Sequence, residues 1–371
     1  MGEEKNHRRR KRLDEHGPCC YTGLFRLLTA VPRISFMPKA IVLFSGGLDS
    51  LVTALTLRRL DVEVILLNIV TPLHDVSQAA AVRAADLAMP LRVQPVDASY
   101  AEVIAHPKWG YGSAVNPCID CRVAMLKIAR QVMREEQADF IATGEVAGQR
   151  PNSQKTHQLA LIAKEAGVTD CLVRPLSARA LSPSRVELDG RLDRGQLYAL
   201  TGRGRRGILR LAEELGVQDI PQPASGCLLC EKTFAPRVRD VLRHNRKPTN
   251  WHFAVLPFGR VVRIDPLTQC VVARNFDDGQ ALVRLFERDA RPPAALLEPD
   301  SFTGPATLLI GDDYETRHEE IAGGQLLRFS NPKRYDPDNA FVRFRDTTGP
   351  TGRDERRQIF PDPDAGQYKH F

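Results

Sequence analysis

The sequence lacks any apolar run that approaches the roughly 20 residues needed to span a bilayer, so we expect no membrane partner. It also lacks a compact disulfide framework, because its eight cysteines are spread over 371 residues. Two Cys-x-x-Cys pairs in such a chain are more typical of metal or sulfur chemistry in a reducing compartment. The length suits two domains, and 43% hydrophobic residues are typical of a soluble globular protein. We therefore expect a cytoplasmic protein.

The sequence has fewer acidic than basic residues. It contains 45 Asp and Glu and 52 Lys and Arg, which gives a net charge of +7. This balance permits an acidic partner such as RNA, although an evenly solvated surface would give the same total. Residues 1–36 include the basic run His7–Arg12 and lack the apolar core and cleavage site of a secretory signal. We expect them to be a disordered basic extension, either an RNA-contacting arm or a segment without its own function.

The most informative segment is an apolar, β-prone run, Lys39–Phe44, that leads into the turn Ser45–Ser50 and then a helical pattern. Gly46 and Gly47 have no Cβ, so the backbone can bring N–H groups close to phosphate oxygens. The helix that follows directs the positive end of its dipole to the same place. This order of residues is not the Gly-x-x-x-x-Gly-Lys-Ser/Thr motif of kinases and GTPases. An ordinary glycine-rich turn is the alternative interpretation.

The side chains of this turn indicate a nucleotide site. Hydroxyl groups of Ser45 and Ser50 can donate hydrogen bonds to phosphates, and Asp49 can hold a Mg²⁺ ion that bridges them. The turn resembles the PP-loop of the ATP pyrophosphatases, which cleave ATP to AMP and pyrophosphate while adenylating a carbonyl oxygen. The resemblance implies ATP and Mg²⁺ as cofactors. The candidate nucleotide-binding residues are Ser45, Gly46, Gly47, Leu48, Asp49 and Ser50.

Strand and helix patterns alternate after the turn, which predicts an α/β fold with a doubly wound parallel sheet and ligands at the carboxyl ends of its strands. After about residue 245 shorter β-like runs appear, including Trp251–Leu256, Gly259–Ile264 and Cys270–Ala273. We predict an extension at 1–36, a PP-loop domain at 37–244, a small α+β domain at 245–345 and a flexible tail at 346–371, which is rich in Gly, Pro, Asp and Arg.

Four cysteines form a Cys-x-x-Cys…Cys-x-x-Cys set, namely Cys118, Cys121, Cys227 and Cys230. Both pairs lie in loops near the expected nucleotide site, so the fold could bring them together. Three interpretations are open: a structural zinc site, an iron–sulfur cluster held by three thiolates with one iron free for an external sulfur, or direct persulfide chemistry. The other cysteines have no comparable partners and are expected to be bystanders: Cys19, Cys20, Cys171 and Cys270.

Further motifs make the resemblance more specific. Thr143–Glu145, Gly148–Gln149, Ser153–Gln154 and Arg174–Leu176 resemble the signature that follows the PP-loop in tRNA 4-thiouridine synthases. Asn116–Cys118 with Gly226–Cys227 is similar to the paired cysteine loops of tRNA 2-thiouridylases. The pattern of three cysteines is similar to that of iron–sulfur-dependent tRNA thiolation enzymes. These matches cover about residues 38–235.

The resemblance implies ATP contacts at Ser45–Ser50, Gly144 and Glu145, and catalytic roles for Asp49, Cys118 and Cys227. It implies a [4Fe–4S] cluster held by Cys118, Cys121 and Cys227, with zinc as the less favoured alternative, and leaves the role of Cys230 open. The implied function is an ATP-dependent tRNA sulfurtransferase that forms 4-thiouridine or 2-thiouridine. The alternatives are another PP-loop ATP pyrophosphatase acting on a small molecule, with a structural zinc site, and a non-catalytic RNA-binding protein.

The chain departs from the 4-thiouridine synthases because the 44 residues before the turn cannot hold their THUMP RNA-binding region. The expected partners are tRNA and an unidentified sulfur donor, with a homodimer as an open alternative. Phe258–Arg260, Ala273–Asn275 and Gln280–Arg288 weakly resemble an NFACT-type RNA-binding domain, and a stabilising β-rich cap is the alternative interpretation. The other basic cluster, Arg203 to Arg210, could contact RNA or be an ordinary solvated surface.

Overall fold

The computed structural model describes residues 37–221, 226–288, 291–347 and 352–371. Two β-sheets organise these residues, a parallel sheet of five strands followed along the chain by an antiparallel sheet of seven. The predicted basic extension, residues 1–36, lies outside the described residues, together with Cys19 and Cys20. Among the described residues, no helix is both long enough and apolar enough to cross a membrane.

The parallel sheet confirms the predicted α/β fold. Its strands are β1 (Lys39–Leu43), β2 (Glu63–Val70), β3 (Leu91–Pro95), β4 (Phe140–Ala142) and β5 (Leu172–Val173). They lie in the order β3-β2-β1-β4-β5, and each neighbouring pair is parallel. The direction of the strand order reverses at β1 and β4, where an open sheet leaves a crevice at the carboxyl ends of its strands.

Helices cover both faces of this sheet, so its central strands are continuous apolar runs. The helices are α1 (Leu48–Arg59), α2 (Ser77–Asp86), α3 (Tyr100–Ala105), α4 (Cys118–Glu135), α5 (Thr156–Ala166), α6 (Arg185–Leu188) and α7 (Arg206–Glu214). On β1, Val42 packs in a cluster with residues of α1 and α2, whereas its neighbour Ile41 packs with residues of α4 and α5. Alternation of side chains along a strand therefore builds one core on each face.

Two helices, α8 (Ala235–His244) and α9 (Asn250–Ala254), lead into the second sheet. Its strands are β6 (Arg260–Arg263), β7 (Gln269–Val272), β8 (Ala294–Pro299), β9 (Thr307–Ile310), β10 (Phe341–Asp346), β11 (Asp354–Gln358) and β12 (Lys369–His370). The order is β11-β10-β8-β9-β7-β6-β12 with antiparallel pairing. Helices α10 (Phe276–Phe286) and α11 (Thr316–Arg328) pack on opposite faces.

The β-like run predicted at Trp251–Leu256 is wrong, because the chain forms α9 there. Thr249 caps the start of this helix. Its backbone N–H donates to Nδ1 of His252 at 3.1 Å, and its hydroxyl lies 2.9 Å from the same nitrogen. The indole of Trp251 donates a hydrogen bond to the carbonyl of Leu285 at 2.8 Å. Aromatic content indicated burial correctly, but a single capped turn of helix satisfies that burial as well as a strand does.

Residues 346–371, predicted as a flexible tail, instead contribute β11 and β12 to the second sheet. Arg353 and Arg357 form ion pairs with the buried carboxylate of Glu319 on α11, and Arg353 also pairs with Asp346. Ile359 is buried in the core on the same face as α11. Composition indicated disorder because the partner on α11, Glu319, lies more than 30 residues away in the sequence.

One apolar cluster joins α3, which packs beside the first sheet, to the second sheet. It contains Tyr100 and Ile104 of α3, Val238 of α8, Trp251 of α9 and Leu296 of β8. Residues 37–371 accordingly form one compact unit. The boundary predicted near residue 245 falls between α8 and α9, and the division into two domains stays a prediction.

Candidate functional site

A cavity of about 280 Å³ opens at the carboxyl ends of β1, β2 and β4. Three of the segments that line it follow these strands, and a fourth is the start of α4. A fifth runs from Gly226 to Cys230, and Tyr100 of α3 completes the lining. Both sets of predicted residues, the nucleotide turn and the four cysteines, therefore contribute to one cavity at the expected switch point of the sheet.

The turn after β1 is held by its own hydrogen bonds. The hydroxyl of Ser50 donates to the carbonyl of Gly47 at 2.8 Å and accepts from the N–H of Ser45 at 3.3 Å. Gly46 has φ = +73°, a conformation that favours glycine, and a Cβ there would lie 3.4 Å from Cα of Ala80 on α2. The chain can therefore turn tightly from β1 into α1 beneath the neighbouring helix.

The six predicted residues of this turn divide into two groups. Ser45, Asp49 and Ser50 line the cavity, whereas Gly46, Gly47 and Leu48 are not among its lining residues. The side chain of Leu48 is buried in an apolar cluster with residues of α7, so only its backbone is suited to contact a ligand.

Asp49 lies in the first turn of α1 and is half-buried. Its Oδ2 accepts a hydrogen bond from Nε2 of Gln149 at 3.1 Å. Gln149 belongs to the loop after β4, so this bond ties the predicted signature segment Gly148–Gln149 to the nucleotide turn. Backbone N–H groups at the start of a helix favour anions, and a carboxylate beside them is suited to a metal ion that accompanies phosphates.

Gly144 is predicted as an ATP contact, and the structure gives it a definite packing role. A Cβ at this position would lie 2.6 Å from the carbonyl carbon and oxygen of Asp49 and 2.9 Å from the nitrogen of Ser50. Only glycine permits the loop after β4 to approach α1 this closely. Gly144 also lines the cavity.

Glu145 is a buried carboxylate at the cavity wall. Its Oε2 accepts hydrogen bonds from Nε of Arg174 at 2.9 Å and from the hydroxyl of Thr143 at 3.1 Å. Burial alone would raise the pKa of this carboxyl, but the positive charges of Arg174 and Arg122 outweigh it and lower the pKa. Oε1 lies 3.8 Å from Nε of Arg122 and has no hydrogen-bond partner among the described residues. Glu145 therefore offers one charged acceptor at the cavity.

The structure brings the four predicted cysteines together, and all of them line the cavity. Cys118 and Cys121 lie in the first turn of α4, whereas Cys227 precedes and Cys230 ends a short 3₁₀ turn, Leu228–Cys230. The backbone N–H of Cys230 donates to the carbonyl of Cys227 at 2.8 Å. The thiol of Cys230 interacts with the thiols of both Cys118 and Cys227. The sequence left the role of Cys230 open. In the structure its thiol contacts both Cys227 of its own pair and Cys118 of the other pair.

The four thiols differ in their surroundings. Interaction with the Cys230 thiol and burial raise the pKa of Cys118, and burial raises the pKa of Cys121. Interaction with the Cys230 thiol lowers the pKa of Cys227 despite burial, helped by the backbone N–H of Leu229. Interaction with the Cys118 thiol lowers the pKa of Cys230. Interaction with the Cys227 thiol and burial both raise it, and together they outweigh the first effect, so the pKa of Cys230 is raised. Negative charge in this group is therefore best accommodated on Cys227.

Side chains outside the cysteine motif also contact the thiols. Nδ2 of Asn116 donates to Sγ of Cys118 at 3.1 Å, and the hydroxyl of Tyr100 lies 3.0 Å from Sγ of Cys121. Within the part of the chain that the structure describes, no group of three or more His, Cys, Asp or Glu residues has an arrangement that could hold a metal ion. The donor set is nevertheless four thiols, the chemistry that iron–sulfur clusters and zinc prefer.

Sequence reasoning missed several lining residues. Arg122, Arg150 and His74 place basic groups at the cavity, and the pKa of His74 is lowered by burial and by the charge of Arg122. Arg122 follows Cys121 and lies one helical turn after Cys118, so helical spacing could have indicated it. Tyr100 and His74 carry no local signal, because only the packing of α3 and the end of β2 brings them here.

The predicted basic cluster lies beside the loop after β4 but does not line the cavity. The N–H of Gly202 donates to the carbonyl of Ala147 at 2.7 Å, and Thr201 forms a β-bridge with Ala147. Arg203 and Arg205 follow directly and are exposed. This loop is therefore anchored only a few residues from Gln149.

Comparison with family models gives a match between residues 36–180 and the ThiI family, described as thiamine biosynthesis protein (ThiI). The match begins just before β1 and includes the nucleotide turn, Cys118, Cys121 and the loop after β4. It confirms the predicted resemblance to the PP-loop thiolation enzymes over this segment, which is less than half of the chain. Comparison with curated protein sequences gives no match.

Two solved structures are similar to parts of this chain. One is a predicted subunit of tRNA methyltransferase from Methanocaldococcus jannaschii, with 18% identity, a TM-score of 0.35, and coverage of 52% of this chain and 82% of that one. The other is a 4-thiouridine synthetase–RNA complex with bound ATP, with 20% identity and a TM-score of 0.34. That likeness covers 59% of this chain and 51% of the synthetase chain, so this chain spans about half of its length.

Proposed function

We propose that this protein is an ATP-dependent tRNA sulfurtransferase, which adenylates a uridine carbonyl oxygen and replaces that oxygen with sulfur. The observation that carries the proposal is a single cavity lined by the nucleotide turn and by four cysteine thiols. Activation by ATP and delivery of sulfur must act on the same carbon atom, so both groups have to reach one bound base. The family match over residues 36–180 supports the same function. We place this activity in the cytoplasm.

In the first step, the uracil carbonyl oxygen attacks the α-phosphorus of ATP, and pyrophosphate leaves. The backbone N–H groups at the start of α1 stabilise the negative charge that develops on the phosphates. Asp49 would hold a Mg²⁺ ion, which neutralises phosphate charge when bound. In the second step a sulfur nucleophile attacks the activated carbon, a C–S bond forms, and the C–O bond to AMP breaks.

We propose that Cys118, Cys121 and Cys227 hold a [4Fe–4S] cluster. When bound, such a cluster supplies an iron site that can take an external sulfur. Cys121 would keep its hydroxyl contact to Tyr100 and Cys118 its amide contact to Asn116, so both ligands are oriented by groups outside the motif.

The alternative sulfur route uses the cysteines directly, with a persulfide on Cys227 supplied by an external sulfur donor. The terminal sulfur attacks the activated carbon and displaces AMP. The Cys230 thiolate then attacks Sγ of Cys227, which breaks the S–S bond to the base sulfur and leaves a Cys227–Cys230 disulfide for an external thiol to reduce. The lowered pKa of Cys227 and its contact with the Cys230 thiol support this route.

The ATP chemistry is tested by incubating the protein with ATP, Mg²⁺ and unmodified tRNA and analysing the nucleotide products. We expect AMP and pyrophosphate, and ADP as the product would reject the proposal. Asp49→Ala should abolish AMP release while the protein stays folded. Asp86→Ala, which removes an exposed carboxylate from the end of α2, is the matched control and should retain full activity.

The cluster is tested by measuring iron and acid-labile sulfide in protein purified without oxygen. Cys118→Ser, Cys121→Ser and Cys227→Ser should each lose both, whereas Cys230→Ser should retain them if three thiolates hold the cluster. Stoichiometric zinc without iron would reject the cluster. Loss of activity in Cys230→Ser with an intact cluster would favour the persulfide route.

We also propose that residues 245–345 help to hold the tRNA. Arg246 and Lys247 are exposed at the start of this region, and Arg284 and Arg288 are exposed at the end of α10. Removing the whole region would break the apolar cluster that it shares with α3, so charge substitutions are the better test. Arg246→Gln with Lys247→Gln should weaken tRNA binding and lower the slope of log K against log salt by about 1 per lost phosphate contact.

The matched control for this pair is Arg343→Gln, which removes an exposed arginine already paired with Asp354 at 2.6 Å. Because that guanidinium is occupied by a carboxylate, we expect unchanged tRNA affinity and salt slope. An unchanged slope in the Arg246 and Lys247 variant would contradict an RNA contact at these residues.

A further inference from the structure

The loop between α3 and α4 exposes two aromatic side chains close to the cysteines. Trp109 and Tyr111 are each 40% exposed. The loop ends where α4 begins, at Cys118. The proposed chemistry uses neither ring, and the apolar clusters of the described residues include neither of them.

Hydrogen bonds hold this loop rigidly. The carboxylate of Asp120 accepts from the backbone N–H groups of Lys108 at 2.9 Å and Trp109 at 3.1 Å. The hydroxyl of Tyr111 donates to the carbonyls of Ile104 at 2.6 Å and Ala105 at 3.1 Å, at the end of α3. Since Asp120 lies between the two cysteines of α4, the position of the rings is coupled to the position of the thiols.

One lysine lies beside the Trp109 ring, and two more lie near the glutamate that it pairs with. Nζ of Lys108 lies 5.0 Å from the centre of the Trp109 ring and 2.8 Å from Oε2 of Glu165. The hydrogen bond from Lys108 lowers the pKa of Glu165, and the positive charges of Lys108, Lys127 and Lys164 add to this effect. Lys127 and Lys164 are exposed, so three lysines surround one glutamate and the local charge is positive. The residues of this aromatic–lysine surface are Lys108, Trp109, Tyr111, Lys127 and Lys164.

We infer, on the basis of the proposed function, that the aromatic–lysine surface binds an unpaired segment of the RNA substrate. A base stacks on Trp109, and the lysines contact the phosphates on either side of it. Stacking of unpaired bases on aromatic rings and neutralisation of phosphates by nearby cations are how proteins hold single-stranded RNA. Lysine is depleted at protein–protein interfaces, so three lysines near an exposed aromatic ring favour RNA over a protein partner.

Tryptophan fluorescence provides a direct test. The chain has two tryptophans, and Trp251 is 5% exposed with its indole bonded to the carbonyl of Leu285. We would titrate the protein without ATP with a ten-nucleotide oligouridylate and with an unmodified tRNA transcript. Both should quench the emission of Trp109. Trp109→Phe should bind with similar affinity and lose the quenching, and Trp109→Ala should bind at least about tenfold more weakly.

Charge variants test the lysines, because removing a lysine should weaken RNA binding and removing the nearby glutamate should strengthen it. Lys127→Gln and Lys164→Gln should each lower the salt slope for the oligonucleotide by about 0.7. Glu165→Gln removes the carboxylate that pairs with Lys108 and should tighten binding. Leu188→Ala, which shortens a side chain 71% exposed on α6, is the control and should change nothing.

Unchanged emission at saturating RNA, together with unchanged affinity of Trp109→Ala, would overturn the inference. These measurements use no ATP, so they are independent of the test of AMP release. If AMP is not formed but quenching is observed, the RNA surface stands and the proposed reaction fails. If AMP is formed but no quenching is observed, the proposed reaction stands and only the RNA surface is rejected.

Discussion

An alanine at Gly144 tests whether the loop after β4 must approach α1 as closely as the structure shows. The added Cβ would lie 2.6 Å from the carbonyl carbon and oxygen of Asp49. These are backbone atoms of a helix, so no side-chain rotation can relieve the overlap, and the two segments must move apart. Overpacking of this kind lowers the free energy of unfolding by about 1–3 kcal/mol. The movement also separates Gln149 from Asp49, which now share a hydrogen bond of 3.1 Å.

Both consequences can be measured in separate assays. We expect urea denaturation to show the loss of stability, and calorimetry with ATP to show at least about tenfold weaker binding, equivalent to about 1.4 kcal/mol. Gly204→Ala is the matched control, because an added Cβ there meets no atom within 4 Å and the residue does not have positive φ. If Gly144→Ala unfolds at the same urea concentration as the wild type and binds ATP equally well, the reasoning is refuted.

Three further substitutions test other parts of the molecule. Glu145→Gln leaves Arg174 without its charged partner and should lower the free energy of unfolding by about 3 kcal/mol at neutral pH. The pKa of Glu145 is lowered from its ordinary value of 4.5, so the difference between variant and wild type in denaturation curves should shrink as the pH falls below that value. Phe253→Ala empties a fully buried site in the cluster that joins α3 to the second sheet and should lower the unfolding free energy by about 3–5 kcal/mol in urea. Glu319→Gln removes the carboxylate that pairs with Arg353, so limited proteolysis should cut residues 352–371 faster than in the wild type; an unchanged cleavage rate would contradict an anchoring role.

The sequence by itself determined the features that depend on neighbouring residues. The apolar run of β1, the glycines of the turn and the polar ends of Ser45–Ser50 specify a strand, a tight turn and a helix start locally, so this local structure was predictable. Alternating strand and helix patterns specified the parallel sheet, because a parallel connection requires a crossover of that length. Cys118 and Cys121 were placed at the start of α4 by the apolar spacing of the residues that follow them.

Only the tertiary structure decided which distant groups meet. Tertiary packing brings Cys227 and Cys230 into one cavity with the thiols of α4, and the packing of α3 brings the hydroxyl of Tyr100 to Cys121. The ion pairs of Arg353 order a segment whose composition alone indicated disorder. Such contacts join residues far apart in the chain, and their free energy depends on a geometry that exists only after the elements have packed. Local sequence patterns carry no record of that geometry, which is why the cysteine pairs and the turn could be expected to meet but the contacts of Tyr100 and His74 could not be predicted.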